Sequence, residues 1–270
     1  MNDISIVIPT KNRSLFLEEC ISSFKKYNGK IEIIVVDDGS DNINREKNRK
    51  ICKNYNVKYI LNEFSLGAPK SRNIGMRNSS GKYIWFFDDD DIVNCKAITD
   101  VIELINNSKS NSIIILPMIV VLNNKEVIFE INPQKERNNF ESYRKNGQEV
   151  STSCAIFPKV ILEKIGGWDE KLVSGQDTDL FLRASEVSNI QVLSDTLPIE
   201  IRVGHIDRIS VNVKKQQIGK IQFMRKNWSR LHLKRKIYYM VTFVLCTPYF
   251  RKIKYNIMAF RKSKLYKEDI

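Results

Sequence analysis

The sequence predicts an α/β fold, a mainly parallel sheet flanked by helices, and three observations carry that prediction. Short apolar runs alternate with helical segments through the first part of the chain, the pattern of βαβ units. Tyr83-Ile-Trp-Phe-Phe87 is apolar throughout, as in a strand buried on both faces. Three polar clusters, Thr10–Arg13, Asp37–Ser40 and Asp88–Asp91, lie at the carboxyl ends of predicted strands, where such sheets bind ligands.

Ile4-Ser-Ile-Val-Ile8 forms the first strand and Pro9 ends it. Ser14 is placed to cap a helix running to about Lys26, with Leu15, Leu17, Ile21 and Phe24 along one stripe. Ile31–Val36 is the second buried strand, stopped by Asp37-Asp-Gly-Ser40. Asp41–Tyr55 reads as a polar helical crossover, Val57–Leu61 as the third strand, Gly67–Asn78 as another helix and Tyr83–Phe87 as the fourth strand. Ile113–Pro117 and Ile119–Leu122 are expected to continue the sheet, and Asn132–Gly147 to form a polar loop. Ser151–Phe157 precedes a helix over Pro158–Ile165, since proline is acceptable in a first turn. Gly166-Gly-Trp-Asp169 is a turn, and Ser174–Arg183 opens a helix ending near Val187. On that helix Asp177 and Asp179 lie about 200° apart, so they cannot share one role.

The run Asp88-Asp-Asp-Asp91 sets the chemistry. Four adjacent carboxylates repel one another at the end of a buried strand unless a cation or strong donors answer them. Oxygen ligands on a short turn suit Mg²⁺ or Mn²⁺ carried with substrate phosphates. The competing reading is that the aspartates cap a helix starting near Ile92. Neither a dinucleotide fingerprint nor a P-loop is present, so a bound metal would have to replace the missing glycine cradle for phosphates.

Composition bounds the class. At 270 residues and 42% hydrophobic, the chain can bury a core and is not of the disordered class. Its five cysteines are odd in number and form no CxxC pair, which argues against a disulfide framework or structural zinc. With no basic-then-apolar leader before Ile4, a cytosolic location is expected. Residues 214–270 hold 16 Lys and Arg against 2 Asp and Glu, whereas residues 1–213 hold 28 against 29. The near-neutral body speaks against a nucleic-acid-binding fold, which would carry a basic face of its own.

Ser5-Ile-Val-Ile-Pro-Thr10, Val35-Val-Asp-Asp-Gly-Ser40, Gly67 with Arg72-Asn-Ile-Gly75, Gly81-Lys-Tyr-Ile84 and the aspartate run together resemble glycosyltransferase family 2. Ile165-Gly-Gly-Trp-Asp-Glu170, Gln176-Asp177 and Arg202–His205 resemble its acceptor-side motifs, in order and over about 1–213. The resemblance implies a GT-A, Rossmann-like fold, a nucleoside-diphosphate sugar donor, a divalent cation and inversion at the anomeric carbon. It implies a donor-binding half over 1–108 and an acceptor-binding half over 109–213, followed by a basic helical tail over 214–270. On the donor side it implies Pro9, Thr10, Asn12, Arg13, Asp37, Asp38, Arg72, Asp88 and Asp89, with Thr10 and Asp38, and Asp37 beside them, toward the base and ribose and a uridine donor favoured on family grounds. It implies Asp90 and Asp88 as metal ligands with His205 near them, Asp177 as the catalytic base, and Trp168, Asp169 and Gln176 toward the acceptor. Gln176 departs from the family's usual Glu. The other readings are that Asp37–Ser40 is only a turn, that Arg72 is a surface arginine in a helix, that His205 is structural, that Asp177 is a helix cap and that Trp168 is a packing anchor.

The tail holds Ile237–Phe250, an uncharged run bracketed by Leu231–Lys236 and Arg251–Lys254. As a helix it would span about 21 Å at ~1.5 Å per residue, short of a ~30 Å hydrocarbon core. Apolar residues between cations suit the surface of an anionic membrane, so peripheral binding on the cytoplasmic face is expected. The plainer reading is a helical subdomain packed on the body. The expected function is transfer of a sugar to a glycan or lipid-linked acceptor in cell-surface polysaccharide synthesis. Alternatives are a sugar-nucleotide nucleotidyltransferase, whose glycine-rich signature is absent around Pro9–Arg13, a basic-tail binding protein and a catalytically silent glycan binder.

Overall fold

The computed structural model describes residues 3–107, 111–122, 127–131, 150–203, 213–231 and 233–244. The expected loop over Asn132–Gly147, His205 and the segment 245–270 therefore lie outside the described residues. The chain divides into two compact units, Met1–Lys171 with Gln176–His205 and Leu172–Gly175 with Ile206–Ile270.

In the first unit β1 (Ile4–Thr10), β2 (Glu32–Asp37), β3 (Lys58–Leu61) and β4 (Tyr83–Phe86) pair in parallel, through β1–β2, β2–β3 and β1–β4. Helices α1 (Ser14–Lys25), α2 (Asn42–Asn54) and α3 (Ala68–Arg77) make the crossovers. The sheet order is β3-β2-β1-β4-β8-β5-β9, with β5 at Ile113–Ile115, β8 at Ala155–Pro158 and β9 at Ile190–Val192. It is a mainly parallel α/β sheet, as expected, but β8 enters it antiparallel between β4 and β5. Strand β8 was not foreseen, because the continuous apolar run Ala155-Ile-Phe-Pro158 is too short to separate from the start of a helix.

A second difference concerns Met118–Leu122. This strand, β6, leaves the main sheet and pairs with β7 (Val127–Ile131) and β10 (Ile199–Val203) in a three-stranded sheet. Pro117 precedes it, lacking the N–H that a continuing ladder would use. Helix α4 (Cys95–Asn107) begins at Cys95, not near Ile92, and Asn94 Oδ1 accepts the Lys96 N–H at 2.9 Å. The helix-cap reading of the aspartate run is thereby removed. Ser14 does not cap α1 either: Arg13 holds the N-cap position, and Ser14 Oγ donates to Asn44 Oδ1 at 2.7 Å, tying α1 to α2.

The core forms where β4 delivers Trp85, Phe86 and then Phe87, all fully buried. Phe24 of α1, Trp85 and Phe87 meet edge to face, with centroids 4.8–5.7 Å apart. Such pairs contribute about 0.5–1.5 kcal/mol each beyond their buried area. This packing anchors the strand whose end carries the aspartates. Helices α5 (Lys159–Ile165) and α6 (Gln176–Ser185) follow β8, separated by the turn at Gly166 and Gly167. Both glycines have positive φ, 78° and 68°, a backbone region that disfavours any side chain.

In the second unit α7 (Val213–Asn227) and α8 (Leu233–Val244) join through Phe223 and Tyr239, whose rings lie 5.2 Å apart. Lys236 Nζ lies 5.0 Å over the Trp228 ring. Leu233, Ile237, Met240 and Val241 are 66, 48, 45 and 46% exposed and share one stripe of α8 by their spacing. No described helix is long and apolar enough to cross a membrane.

Candidate functional site

Strand order reverses between β1 and β4, because β2 and β3 extend to one side of β1 and β4 lies on the other. A crevice opens outside the carboxyl ends of strands at such a point. Thr10 ends β1, and Asp88 follows β4 with only Phe87 between. The polar clusters read from the sequence therefore converge at the place where the topology makes room for a ligand.

The four aspartates divide their work. One oxygen each of Asp88, Asp90 and Asp91 lies within 4.8 Å of the others, the one such grouping of metal-ligating side chains among the described residues. Asp89 sits apart from that grouping, accepting from Thr10 Oγ1 at 2.7 Å and from Arg13 Nη1 at 3.1 Å. Burial pushes the Asp89 carboxyl up to about 7, Asp90 and Asp88 adding to the rise while Arg13 and Thr10 oppose it. The same field is felt below the cluster, where burial and then the charges of Asp89, Asp91, Asp90 and Asp88 hold the Cys20 thiol well above its ordinary value.

Two arginines answer the negative charge. Arg13 Nη1 also reaches Asp90 Oδ2 at 3.4 Å, and Arg72 Nη2 lies 2.6 Å from Asp88 Oδ1. Arg72 is 7% exposed, and its guanidinium stacks 4.5 Å from the centroid of the Trp168 ring. Arg72 Nε and Trp168 Nε1 are both buried and have no hydrogen-bond partner among the described residues. Arg72 is thus no surface arginine, and Trp168, 3% exposed against Phe86 at 5.2 Å, packs as it approaches the site.

Sequence reasoning gave no separate part to Asp91 or Ser153. Ser153 Oγ donates to Asp91 Oδ2 at 2.6 Å and accepts the Asp88 N–H at 3.0 Å. The Arg202 N–H of β10 donates to Asp91 Oδ1 at 3.2 Å. Arg202 itself pairs with Glu200 at 3.0 Å and with Glu19. Asp91 stood in plain view within the run. Nothing local marks Ser153, whose partners lie 62 and 65 residues away.

The second polar cluster holds the turns around the crevice. Asp37 accepts from the Ser40 N–H, Asn48 Nδ2 and Tyr59 Oη, each at 2.8 Å. Asp38 accepts from Asn62, Ser65, Ser71 and the backbone N–H groups of Leu66 and Gly67, at 2.7–3.1 Å. Burial alone would push the Asp38 carboxyl up; the donors from Ser65, Leu66, Ser71 and Asn62 outweigh it and hold it below its ordinary value. The expectation of a carboxylate open to a base thus meets one already holding five donors. Asn12, at φ 55°, joins the turns: its N–H donates to Ser40 Oγ at 2.9 Å and its Oδ1 accepts the Asp41 N–H at 2.8 Å. Pro9 and Thr10 pair with Val36 and Asp37 in the sheet beneath them.

Gln176 and Asp177 open α6, and Asp177 Oδ1 accepts the Thr178 N–H at 2.8 Å. Asp177 is half-buried, whereas Asp179 is fully buried and paired with Arg183 at 2.8 Å, so the two carboxylates do part as their spacing required. Asp169 Oδ1 accepts the Lys171 N–H at 2.9 Å. His205 lies outside the described residues.

A family model described as Glycosyl transferase family 2 matches residues 5–166. An uncharacterized glycosyltransferase of Methanocaldococcus jannaschii is 26% identical over 89% of this chain and 84% of its own. A GalNAc(5)-diNAcBac-PP-undecaprenol β-1,3-glucosyltransferase of Campylobacter jejuni is 32% identical, over 39% of this chain and 35% of its own. The solved structure of Staphylococcus aureus TarS 1–349 in complex with UDP-GlcNAc superposes with a TM-score of 0.63 at 19% identity, covering 83% of this chain and 67% of that one. A mannosyltransferase from Pyrobaculum calidifontis in complex with GDP-Man and Mn²⁺ gives 0.61 at 14% identity, over 83% of this chain and 64% of that one. These likenesses carry the fold.

Proposed function

Because the chain belongs to glycosyltransferase family 2 and is a glycosyltransferase, we propose that it moves a sugar, with inversion, from a nucleoside-diphosphate donor to a hydroxyl of a glycan or lipid-linked acceptor. One observation carries the reading: the oxygens of Asp88, Asp90 and Asp91 gather within 4.8 Å of one another at the strand ends where the sheet reverses. Three hard oxygen donors of that spacing fit Mn²⁺ or Mg²⁺. A divalent cation held there supplies Lewis-acid stabilisation to a departing diphosphate. The nucleotidyltransferase alternative falls with the family match.

The chain's own residues then divide the task. Thr10, Arg13, Arg72 and Asp89 line the donor side, and Pro9, Asn12, Asp37 and Asp38 shape it by holding the turns. Asp177 takes the proton from the acceptor hydroxyl as its oxygen bonds to the anomeric carbon and the bond to the diphosphate breaks. Trp168, Asp169 and Gln176 shape the acceptor side. His205, two residues beyond β10, is proposed to approach the cation or the diphosphate. A uridine donor is favoured, since TarS was solved with UDP-GlcNAc. Measuring donor hydrolysis with Mn²⁺ tests the assignment: Asp90→Asn and Asp177→Asn should each lower turnover by about 10²–10⁴. Full turnover in both variants would overturn it.

We place the acceptor at a membrane surface, in cell-surface polysaccharide synthesis. The support is the exposed stripe Leu233, Ile237, Met240 and Val241 on a tail carrying 16 basic against 2 acidic residues, with a relative whose name contains undecaprenol. Apolar stripes among cations bind anionic bilayers peripherally. Co-sedimentation with vesicles containing phosphatidylglycerol should fall in Ile237→Glu/Val241→Glu; equal pelleting of the variant and the parent chain refutes this placement.

A further inference from the structure

We propose that Arg13 and Arg72 are exchangeable counter-ions, held by the aspartates before the donor arrives and passed to its diphosphate as the carboxylates take a cation. The proposal rests on the reading of a cation and a diphosphate above and adds the way in which this chain couples them.

The carboxylates that converge for a cation are the ones the arginines already hold. Arg72 Nη2 is 2.6 Å from Asp88, and Arg13 Nη1 is 3.4 Å from Asp90 while it also holds Asp89 at 3.1 Å. A guanidinium and a divalent cation on the same oxygens repel each other at short range, so full occupation by one weakens the other. Among the described residues Asp88, Asp89 and Asp90 pair with these two guanidinium groups, so a cation that takes their place keeps the carboxylates answered.

A second, independent feature points to an anion. Arg72 Nε is a buried donor with no acceptor among the described residues, on a side chain of which 9% is exposed. Trp168 Nε1 is another, on the ring 4.5 Å from the same guanidinium. Unpaired buried donors cost free energy, and two of them side by side at a crevice fit a ligand rich in acceptor oxygens. Trp168 holds the Arg72 plane from one face, so a small rotation about the guanidinium stem suffices to trade Asp88 for a phosphate oxygen. Arginine's planar fork recognises either anion equally well. Arg13, which is less buried, trades Asp90 in the same way.

The exchange makes cation and diphosphate bind cooperatively, and linkage makes the effect reciprocal. A lone cation competes with the guanidinium groups; a cation arriving with a diphosphate does not, because the arginines gain a new partner. The test is an Mn²⁺ titration of the full-length protein followed by electron paramagnetic resonance, with and without UDP or GDP. In the parent chain the nucleotide should tighten Mn²⁺ by about tenfold or more. Arg13→Gln and Arg72→Gln should each tighten Mn²⁺ alone by about threefold to tenfold and shrink the nucleotide effect. Arg72→Lys, which keeps the charge but not the fork, should shrink the nucleotide effect without that gain, and it serves if the glutamine variant does not fold. Arginines that merely brace the fold predict the reverse, weaker Mn²⁺ binding in the variants. If Mn²⁺ binds the parent chain and neither glutamine variant binds it more tightly, the exchange is wrong and the cation site stands. If Mn²⁺ binds no variant, with either nucleotide present, both fall.

Discussion

Asn73 and Trp168 hold each other by a reciprocal pair of hydrogen bonds across 95 residues of chain. Asn73 Oδ1 accepts the Trp168 N–H and Asn73 Nδ2 donates to the Trp168 carbonyl, each at 2.9 Å. Asn73 follows Arg72 on α3, and Trp168 lies under the Arg72 guanidinium. One amide therefore fastens the helix bearing Arg72 to the turn bearing Trp168. Asn73→Ala leaves a buried N–H and a buried C=O without partners, at about 1–3 kcal/mol each. Denaturant unfolding should show a loss of about 2–5 kcal/mol; a loss below about 0.5 kcal/mol, the level of an ordinary surface change, would mean that water replaces the amide without penalty.

Asp89 gives the metal-free protein a pH dependence of unusual sign for a carboxylate. Its folded value near 7 lies above its ordinary 3.8, so the folded state binds a proton that the unfolded state has released. The contribution is present below about pH 4 and is lost as pH rises through about 7. Asp38 acts in the opposite sense: held below its ordinary value, it stabilises above that value and loses its effect as pH falls through the folded one. Asp89→Asn removes the first trend alone. In thermal melts without divalent cations, the variant should gain on the parent chain steadily from pH 5 to pH 8. A flat difference across that range would contradict the burial argument.

Much of the fold was open to the eye in the sequence, because strands buried on both faces read as apolar runs, as β1, β2 and β4 do, while the half-buried β3 shows only Tyr59-Ile-Leu61. What failed was local ambiguity. Ala155–Pro158 is four residues long, and only its place between β4 and β5 makes it a strand. The site divides in the same way. Thr10, Arg13, Arg72 and the aspartate run lie next to recognisable strand ends, so their convergence followed from topology. Ser153 and Asn73 act through partners more than sixty residues distant, and neither periodicity nor composition records such a pairing. The carboxylates of Asp37 and Asp38 were visible, but the donors that fill them come from residues 40–71 and from backbone groups that every sequence possesses.

Gly75 lets α3 lie directly on the sheet. A methyl group there would stand 2.3 Å from Val7 Cγ1 and 3.3 Å from Val36 Cγ2. Both valines are fully buried, so neither can step aside. Gly75→Ala should cost about 1–3 kcal/mol by overpacking, despite alanine's better helix propensity. Val7→Ala in the same chain removes the blocking methyl groups, so the double variant should be more stable than the sum of the two losses predicts. Strict additivity in urea unfolding would show that the helix has shifted outward and does not rest on β1.

Arg183 links α6 to the glycine turn before Trp168, and the cost of breaking that link separates a clamp from a surface ion pair. Its guanidinium lies 2.8 Å from Asp179 Oδ2 and donates to the Ile165 carbonyl at 2.9 Å and to the Gly167 carbonyl at 2.8 Å. Asp179 is fully buried, and removing Arg183 takes from it the cation at 2.8 Å. Arg183→Met should therefore cost about 3–5 kcal/mol, against the ~0–1 kcal/mol of an exposed pair. Arg183→Lys restores the charge as a single point and loses the fork that reaches two carbonyls, so it should recover only part of the loss. Asp179→Leu with Arg183→Met removes both charges, and that double variant should be more stable than Arg183→Met alone. Because Asp177 sits two residues before Asp179, the clamp also fixes where the proposed base stands; the same variants should raise the acceptor KM while leaving Mn²⁺ binding unchanged. Loss of Mn²⁺ binding in step with stability would show that the damage spreads through the whole unit and is not confined to α6 and the glycine turn.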